Sequence, residues 1–191
     1  MNNIRRKTLR ISVQSVALIA VIALAFYLAR LAQGNGAVQE IVAAYGYAGI
    51  FVVSVVSGFN LVVPVPAIAF LPLFLTSGLS FLPTILVIAA GVSLADSVAY
   101  FAGRIGRHVL AYAFEERLIL RLERVRERYH WAPLTAFFLF AAFVPLPNEI
   151  LVVPLGLLGY RFLQILPIAF AGNLAFNSLY ATGTIGLFNL F

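Results

Sequence analysis

Two long apolar stretches, 50–82 and 131–159, are interrupted by prolines, glycines and polar residues. The first carries Gly58, Asn60, Pro64, Pro66, Pro72 and Gly78. The second reads AAFVPLPNEILVVPLG over Ala141–Gly156, with Pro145, Pro147, Asn148 and Glu149 inside it. Proline removes a backbone donor and clashes with the preceding helical turn. A carboxylate is expensive wherever water is excluded. In a membrane, both are tolerated together only where broken backbone is buried in protein or lines a wet cavity.

Composition places these stretches in a membrane. The 191 residues are 62% hydrophobic and 10% charged, and the mean hydropathy is +1.00. Soluble domains are nearer half apolar and a quarter charged. A soluble core of this length could not bury so much apolar surface, so the expectation is an all-α polytopic membrane protein. Arg5, Arg6, Lys7 and Arg10 precede a nearly uncharged run from Ile11 to Ala29. By the positive-inside rule, residues 1–10 are a cytoplasmic N-terminus and 11–33 hold a first span. A secretory signal peptide is the rival reading, but the run is too long for an h-region and no small-x-small site follows.

Residues 34–183 read as one membrane domain. Its first part, 34–49, looks like a short interfacial helix with Tyr45 and Tyr47 at the headgroups. Pro83 opens a span ending at Gly103. The loop 104–130 holds seven arginines and four glutamates, so it is net positive and expected in the cytoplasm. Within it, Leu118, Leu122, Val125 and Tyr129 recur on one face of an amphipathic helix. The basic face of that helix either meets anionic headgroups or is solvated with internal Glu–Arg pairs. A last span runs from Tyr160 to Gly183, followed by a short tail, 184–191. The net charge of +6 follows these loops, and no aromatic–basic stacking surface suggests nucleic acid.

The broken stretches align with each other. Sliding the chain by 81 residues pairs Val63 with Val144, Pro64 with Pro145, Pro66 with Pro147, Gly78 with Gly159 and Gly91 with Gly172, while Asp96 falls on Asn177. Each repeat, about 46–103 and about 131–183, is a proline-broken segment followed by a helix. The loop charges require the first broken segment to begin and end outside, and the second to begin and end inside. The expected fold is therefore two inverted repeats, each a re-entrant broken-helix hairpin followed by a transmembrane helix. The hairpin breaks are Pro64 and Pro66 in one copy, Pro145 and Pro147 in the other.

Glu149 is the first candidate for chemistry, as a proton carrier or a partner for a cation. The alternative is a first-turn carboxylate at a half-helix N-terminus, with Asn148 as the cap. Asp96, Tyr100 and Arg104 recur every four residues and share a helix face. They form either a polar track toward the cytoplasm or an Asp–Tyr hydrogen bond beside a snorkelling arginine. Asn60, Asn173 and Asn177 either satisfy broken backbone or meet a ligand. Gly91, Ala95, Ala99 and Gly103 make a small-residue stripe suited to close helix packing, and through it to a homo-oligomer. Two histidines are too few for a metal site, and no cofactor is expected. There is no nucleophile elbow, no cysteine and no phosphate-cradling loop, so the chain does not read as an enzyme.

In GVSLADSVAYFAGRIG, the residues Gly91, Asp96, Tyr100, Gly103, Arg104 and Gly106 resemble the G-x(4)-D-x(3)-Y-x(2)-G-R-x-G signature of the DedA proteins, the VTT-domain or SNARE-associated membrane family. The likeness covers about Tyr45 to Gly183. It implies two opposed re-entrant hairpins, a prokaryotic plasma-membrane location, and movement of phospholipid or polyprenyl phosphate between leaflets. Phe59, Ala142 and Asn148 stand where many family members carry embedded charges, so the resemblance fixes neither substrate nor proton coupling. From the residues themselves, a proton-coupled transporter of a small ion or solute and a non-transporting scaffold remain alternatives. The expected path residues are Glu149, Asp96, Asn60, Asn148, Tyr100, Arg104 and Asn177, with membrane lipids as partners.

Overall fold

A computed structural model describes Tyr27 and residues 35–59, 67–105 and 116–190. The N-terminus 1–10, the first predicted span 11–33 apart from Tyr27, the hairpin residues Asn60, Pro64 and Pro66, and residues 106–115 lie outside the described residues. Among those described, all regular structure is helical. The order is α1 (Gly36–Gly58), a 3-10 turn (Ala67–Phe70), α2 (Leu71–Thr76), α3 (Phe81–Ile105), α4 (Glu116–Arg128), α5 (Ala132–Phe143), α6 (Glu149–Leu157) and α7 (Phe162–Leu190). Two helices, α3 and the Phe162–Gly183 part of α7, are long and apolar enough to cross a membrane.

Two boundaries correct the sequence reading. The separate interfacial helix over 34–49 does not exist, because α1 runs unbroken to Gly58. Gly46 and Gly58 serve packing instead of breaking the helix; a Cβ on Gly46 would lie 2.6 Å from Leu79 Cδ1, and one on Gly58 2.5 Å from Ala95 Cβ. At the other end, α7 continues through the expected tail to Leu190.

The break before α6 follows from its prolines. Val144, which precedes Pro145, is extended at φ −105° and ψ 119°, as a residue before proline prefers. Helix α5 therefore stops at Phe143, and α6 starts only at Glu149. The chain then doubles back. Tyr160 Oη, just after α6, donates to the carbonyl of His130, just before α5, at 2.9 Å. The first unit also returns on itself, since the Ser80 amide donates to Tyr47 Oη at 3.2 Å.

Two helix-ending turns 81 residues apart share their backbone hydrogen bonds. Helix α2 ends with Leu79 N–H bonded to Phe74 O at 3.1 Å and Gly78 N–H to Leu75 O at 3.1 Å. Helix α6 ends with Tyr160 N–H bonded to Leu155 O at 3.2 Å and Gly159 N–H to Gly156 O at 3.0 Å. Both are Schellman turns. Gly78 and Gly159 occupy them at φ +89° and +77°, a region where only glycine is unstrained. All four donor and acceptor pairs keep the 81-residue spacing. The first limbs do not. Gly91 packs on Phe51 O and Ser54, whereas Gly172 packs on Phe138 O and Ala141. Those partners are 87 residues apart, so the connection inside the first hairpin is six residues longer.

Each unit has its own apolar core, and each core borrows from the other unit. Ile50, Ile68, Leu71, Ile85 and Ile88 cluster with Ala181 of α7. Leu134, Phe137, Val152, Leu155 and Ile165 cluster with Ala99 and Tyr100 of α3. Tyr100 and Ala181 stand 81 residues apart, and each lies in the core of the other unit. The small-residue stripe is consumed here. Gly91 faces α1, Ala95 lies under Gly58, and a Cβ on Gly103 would collide with the backbone of Val153 in α6. The stripe is a joint within the chain, which removes it as a surface for a homo-oligomer.

Candidate functional site

Helix α3 has an inverted cross-section. Leu94, Val98, Phe101 and Ile105 point outward and are exposed, while Ser93, Asp96, Ser97 and Tyr100 point inward and are buried. Asp96 is 1% exposed. It lies about 22 Å from one end of α3 and about 14 Å from the other, at 1.5 Å per residue.

The inward groups form one centre drawn from three parts of the fold. Asn148, in the break before α6, donates through Nδ2 to Asp96 Oδ2 at 3.0 Å and to Asn173 Oδ1 at 2.9 Å. Asn173 of α7 donates through its own Nδ2 to Asp96 Oδ2 at 2.7 Å and to Ser93 Oγ at 3.1 Å. Both amide NH2 groups thus spend two donors apiece, as buried amides should. Asp96 Oδ1 accepts no hydrogen bond among the described residues. Asn148 does not cap α6 with its side chain; it is turned to the carboxylate instead, which corrects the capping alternative. Glu149 is 5% exposed, opens the first turn of α6, and lies close enough to Asp96 for their charges to interact. An acidic residue in that turn is favoured by the helix dipole.

The remaining candidates fall elsewhere. Tyr100 and Arg104 do not continue a track from Asp96. Tyr100 Oη donates to the carbonyl of Tyr160, and Arg104 Nη1 donates to Tyr100 Oη at 2.7 Å and to the same carbonyl at 3.1 Å. The expected Asp–Tyr hydrogen bond is absent for the same reason. Asn177, the repeat equivalent of Asp96, donates to the Asn173 carbonyl at 2.7 Å. It buttresses the centre without entering it. Pro145 is exposed and Pro147 half-buried, so they shape the break and line no interior path. Asn60 lies outside the described residues.

A second cluster closes the turn after α6. Arg126 of α4 donates to the Leu158 carbonyl, and its guanidinium sits 5.0 Å from the centre of the Tyr160 ring. On α4, Leu122 packs on the second core, while Val125 and, just past the helix, Tyr129 remain exposed. Sequence reasoning missed Ser93, Arg126 and Tyr160. Ser93 was within reach of it, one turn before Asp96 on the same face. Arg126 and Tyr160 carry no local signal, because their partners are backbone carbonyls distant in sequence.

Arg104 and Arg126 are thus spent on backbone carbonyls at helix ends, and the buried polar side chains among the described residues are carboxylates, amides and hydroxyls. Comparison of the chain with protein-family models, with curated proteins and with solved structures finds no match in any of the three.

Proposed function

We propose that this chain is a membrane-embedded transporter of the DedA-like type, which moves the polar part of a lipid between leaflets past Asp96. The observation that carries the reading is the Asp96–Asn148–Asn173–Ser93 centre, buried at mid-length of a helix whose outer face is apolar. A polar centre at that depth lowers the cost of taking a headgroup through hydrocarbon. In this reading α3 and α7 span the bilayer. The doubled-back segments Tyr47–Ser80 and His130–Tyr160 are re-entrant hairpins, and the units are inverted copies. Supporting it, α5 and α6 are only about 18 and 14 Å long at 1.5 Å per residue, too short to cross about 30 Å of hydrocarbon. The five signature residues that are described also have separate tasks: Gly91 and Gly103 in helix joints, Asp96 in the centre, Tyr100 and Arg104 in the clamp on Tyr160.

The test is leaflet exchange of fluorescent phospholipid in liposomes, read by a membrane-impermeant quencher. Wild type should exchange lipid well above empty liposomes, Asp96→Asn should abolish the gain, and Glu149→Gln should reduce it. Exchange unchanged in Asp96→Asn sinks the assignment of the path. A second reading, proton-coupled transport of a small solute, is favoured by one observation: two buried carboxylates, Asp96 and Glu149, within electrostatic reach of each other. Solute uptake driven by an imposed pH gradient, without lipid exchange, would select it.

A further inference from the structure

Helix α4 carries its charges in two separate stripes. At 3.6 residues per turn, Arg121, Arg124 and Arg128 fall together on one flank, and Glu123 and Glu127 fall together on another. All five are exposed. The neighbours one turn apart are alike in sign, Arg124 with Arg128 and Glu123 with Glu127, which disfavours the helix on its own. Arg124 and Glu127 stand within reach of each other, yet none of these five side chains makes an ion pair among the described residues. The expectation of a solvated helix laced by internal Glu–Arg pairs is therefore not met.

The surfaces around α4 follow a definite order. Leu122 and Arg126 face inward; Leu122 packs on the second core and Arg126 donates to the Leu158 carbonyl. Beside them runs an apolar edge of exposed side chains, Val125 and then Tyr129 and Trp131 just past the helix. The arginine stripe borders that edge, because Val125 is one turn from both Arg121 and Arg128. A helix lying in a membrane interface has this order, with an apolar edge toward the acyl chains and basic side chains beside it at the phosphates. Aromatic residues favour the same layer. Arg126 holds α4 beside the turn from which α7 starts, at the end of a membrane-length helix.

We infer that α4 docks in the headgroup layer of an anionic leaflet. Arg121, Arg124 and Arg128 pair with lipid phosphates, Val125, Tyr129 and Trp131 dip toward the acyl chains, and Glu123 and Glu127 face water. An acidic protein would satisfy the arginines but would not cover the apolar edge. The inference rests on α3 and α7 spanning the bilayer, and it holds whatever the Asp96 centre moves.

The chain has no cysteine, so Val125→Cys carries a single fluorophore on the full-length protein. It is placed in nanodiscs of phosphatidylcholine, with or without phosphatidylglycerol, and quenched by neutral acrylamide from the water side. Leu120→Cys is the control, since Leu120 is exposed and shares the acidic flank with Glu123 and Glu127. Phosphatidylglycerol should protect the reporter at Val125 and leave the one at Leu120 unchanged. Protection should be lost at about 1 M salt, where the screening length falls to about 3 Å. Replacing Arg121, Arg124 and Arg128 together by Gln should abolish it with the Arg126 clamp intact. Arg124→Gln alone should raise the phosphatidylglycerol fraction needed for half-protection about fivefold, the value of one basic residue at an anionic surface. Equal quenching at Val125 in both discs overturns the proposal, as does protection that survives the triple replacement. Protection by soluble polyglutamate but not by phosphatidylglycerol also overturns it, in favour of an acidic protein partner. A chain that enters discs of neither composition overturns the membrane placement itself.

Discussion

The turns at Gly78 and Gly159 carry the same backbone hydrogen bonds, yet among the described residues only the second has its carbonyls held by side-chain donors. Around Gly159, the Leu158 and Tyr160 carbonyls take donors from Arg126, Arg104 and Tyr100. Around Gly78, the long-range hydrogen bond among the described residues is from the Ser80 amide to Tyr47 Oη, which is exposed. The same asymmetry holds in the middle of the long helices. Asp96 faces the shared centre, whereas its equivalent Asn177 bonds within its own helix. The two turns thus share their backbone bonds, and a few side chains make the second the better anchored.

That difference can be broken most severely where the units meet. Gly103→Val should cost about 3 kcal/mol, because the added atoms meet Val153 backbone, which cannot turn aside. Unfolding by denaturant in micelles, followed by circular dichroism, reads this. Gly183→Val is the control, since a Cβ there meets nothing within 4 Å; equal losses would show that α3 and α6 are not in backbone contact.

Asn173→Ala should come next, at about 2 kcal/mol. It strips one donor from Asp96 and leaves Ser93 without that partner. Asn177→Ala should cost about 1 kcal/mol, the value of a single hydrogen bond. A reversed order would mean that the centre is not where the two units are joined.

Within the units, Gly91→Ala should cost about 1 kcal/mol more than Gly172→Ala. The first would put a Cβ 2.9 Å from the Phe51 carbonyl, whereas the nearest backbone atoms at Gly172 are 3.5 Å away. Smallest of all should be the difference between Gly78→Ala and Gly159→Ala. Each forces a left-handed conformation at about 1–2 kcal/mol, and neither Cβ would meet a neighbour within 4 Å. The two losses should agree within a few tenths. A clearly larger loss at Gly159 would show that the arginine clamp resists the strain and passes it on.

Much of this fold was legible because breakers and small residues act locally. The prolines before Glu149, the paired glycines and the 81-residue spacing each constrain backbone within a few residues. The stripe on α3 announced close packing by its composition, but not which helix would fill it. The site was legible in part. Asp96 and Asn148 stood out because polar groups among apolar ones are few, and Asn173 was noticed without being assigned to the path. Their meeting, and the turning away of Tyr100 and Arg104 toward a carbonyl, depend on how α6 and α7 settle on α3. Sequence spacing along one helix cannot report that. The six-residue difference inside the hairpins was hidden by an ungapped comparison, since the match resumes at Val63 and Val144.

The glycine contacts between α3 and α6 have a mechanical consequence. At Gly103 and Gly156 the helices touch through backbone, with Val153 on one side and Tyr100 O on the other. Interlocked side chains resist sliding as ridges resist grooves, and at these two glycines no side chain stands between the helices. Between them Tyr100 of α3 is seated among Val152 and Leu155 of α6, so a single buried ring fixes the register of a joint that is otherwise backbone on backbone.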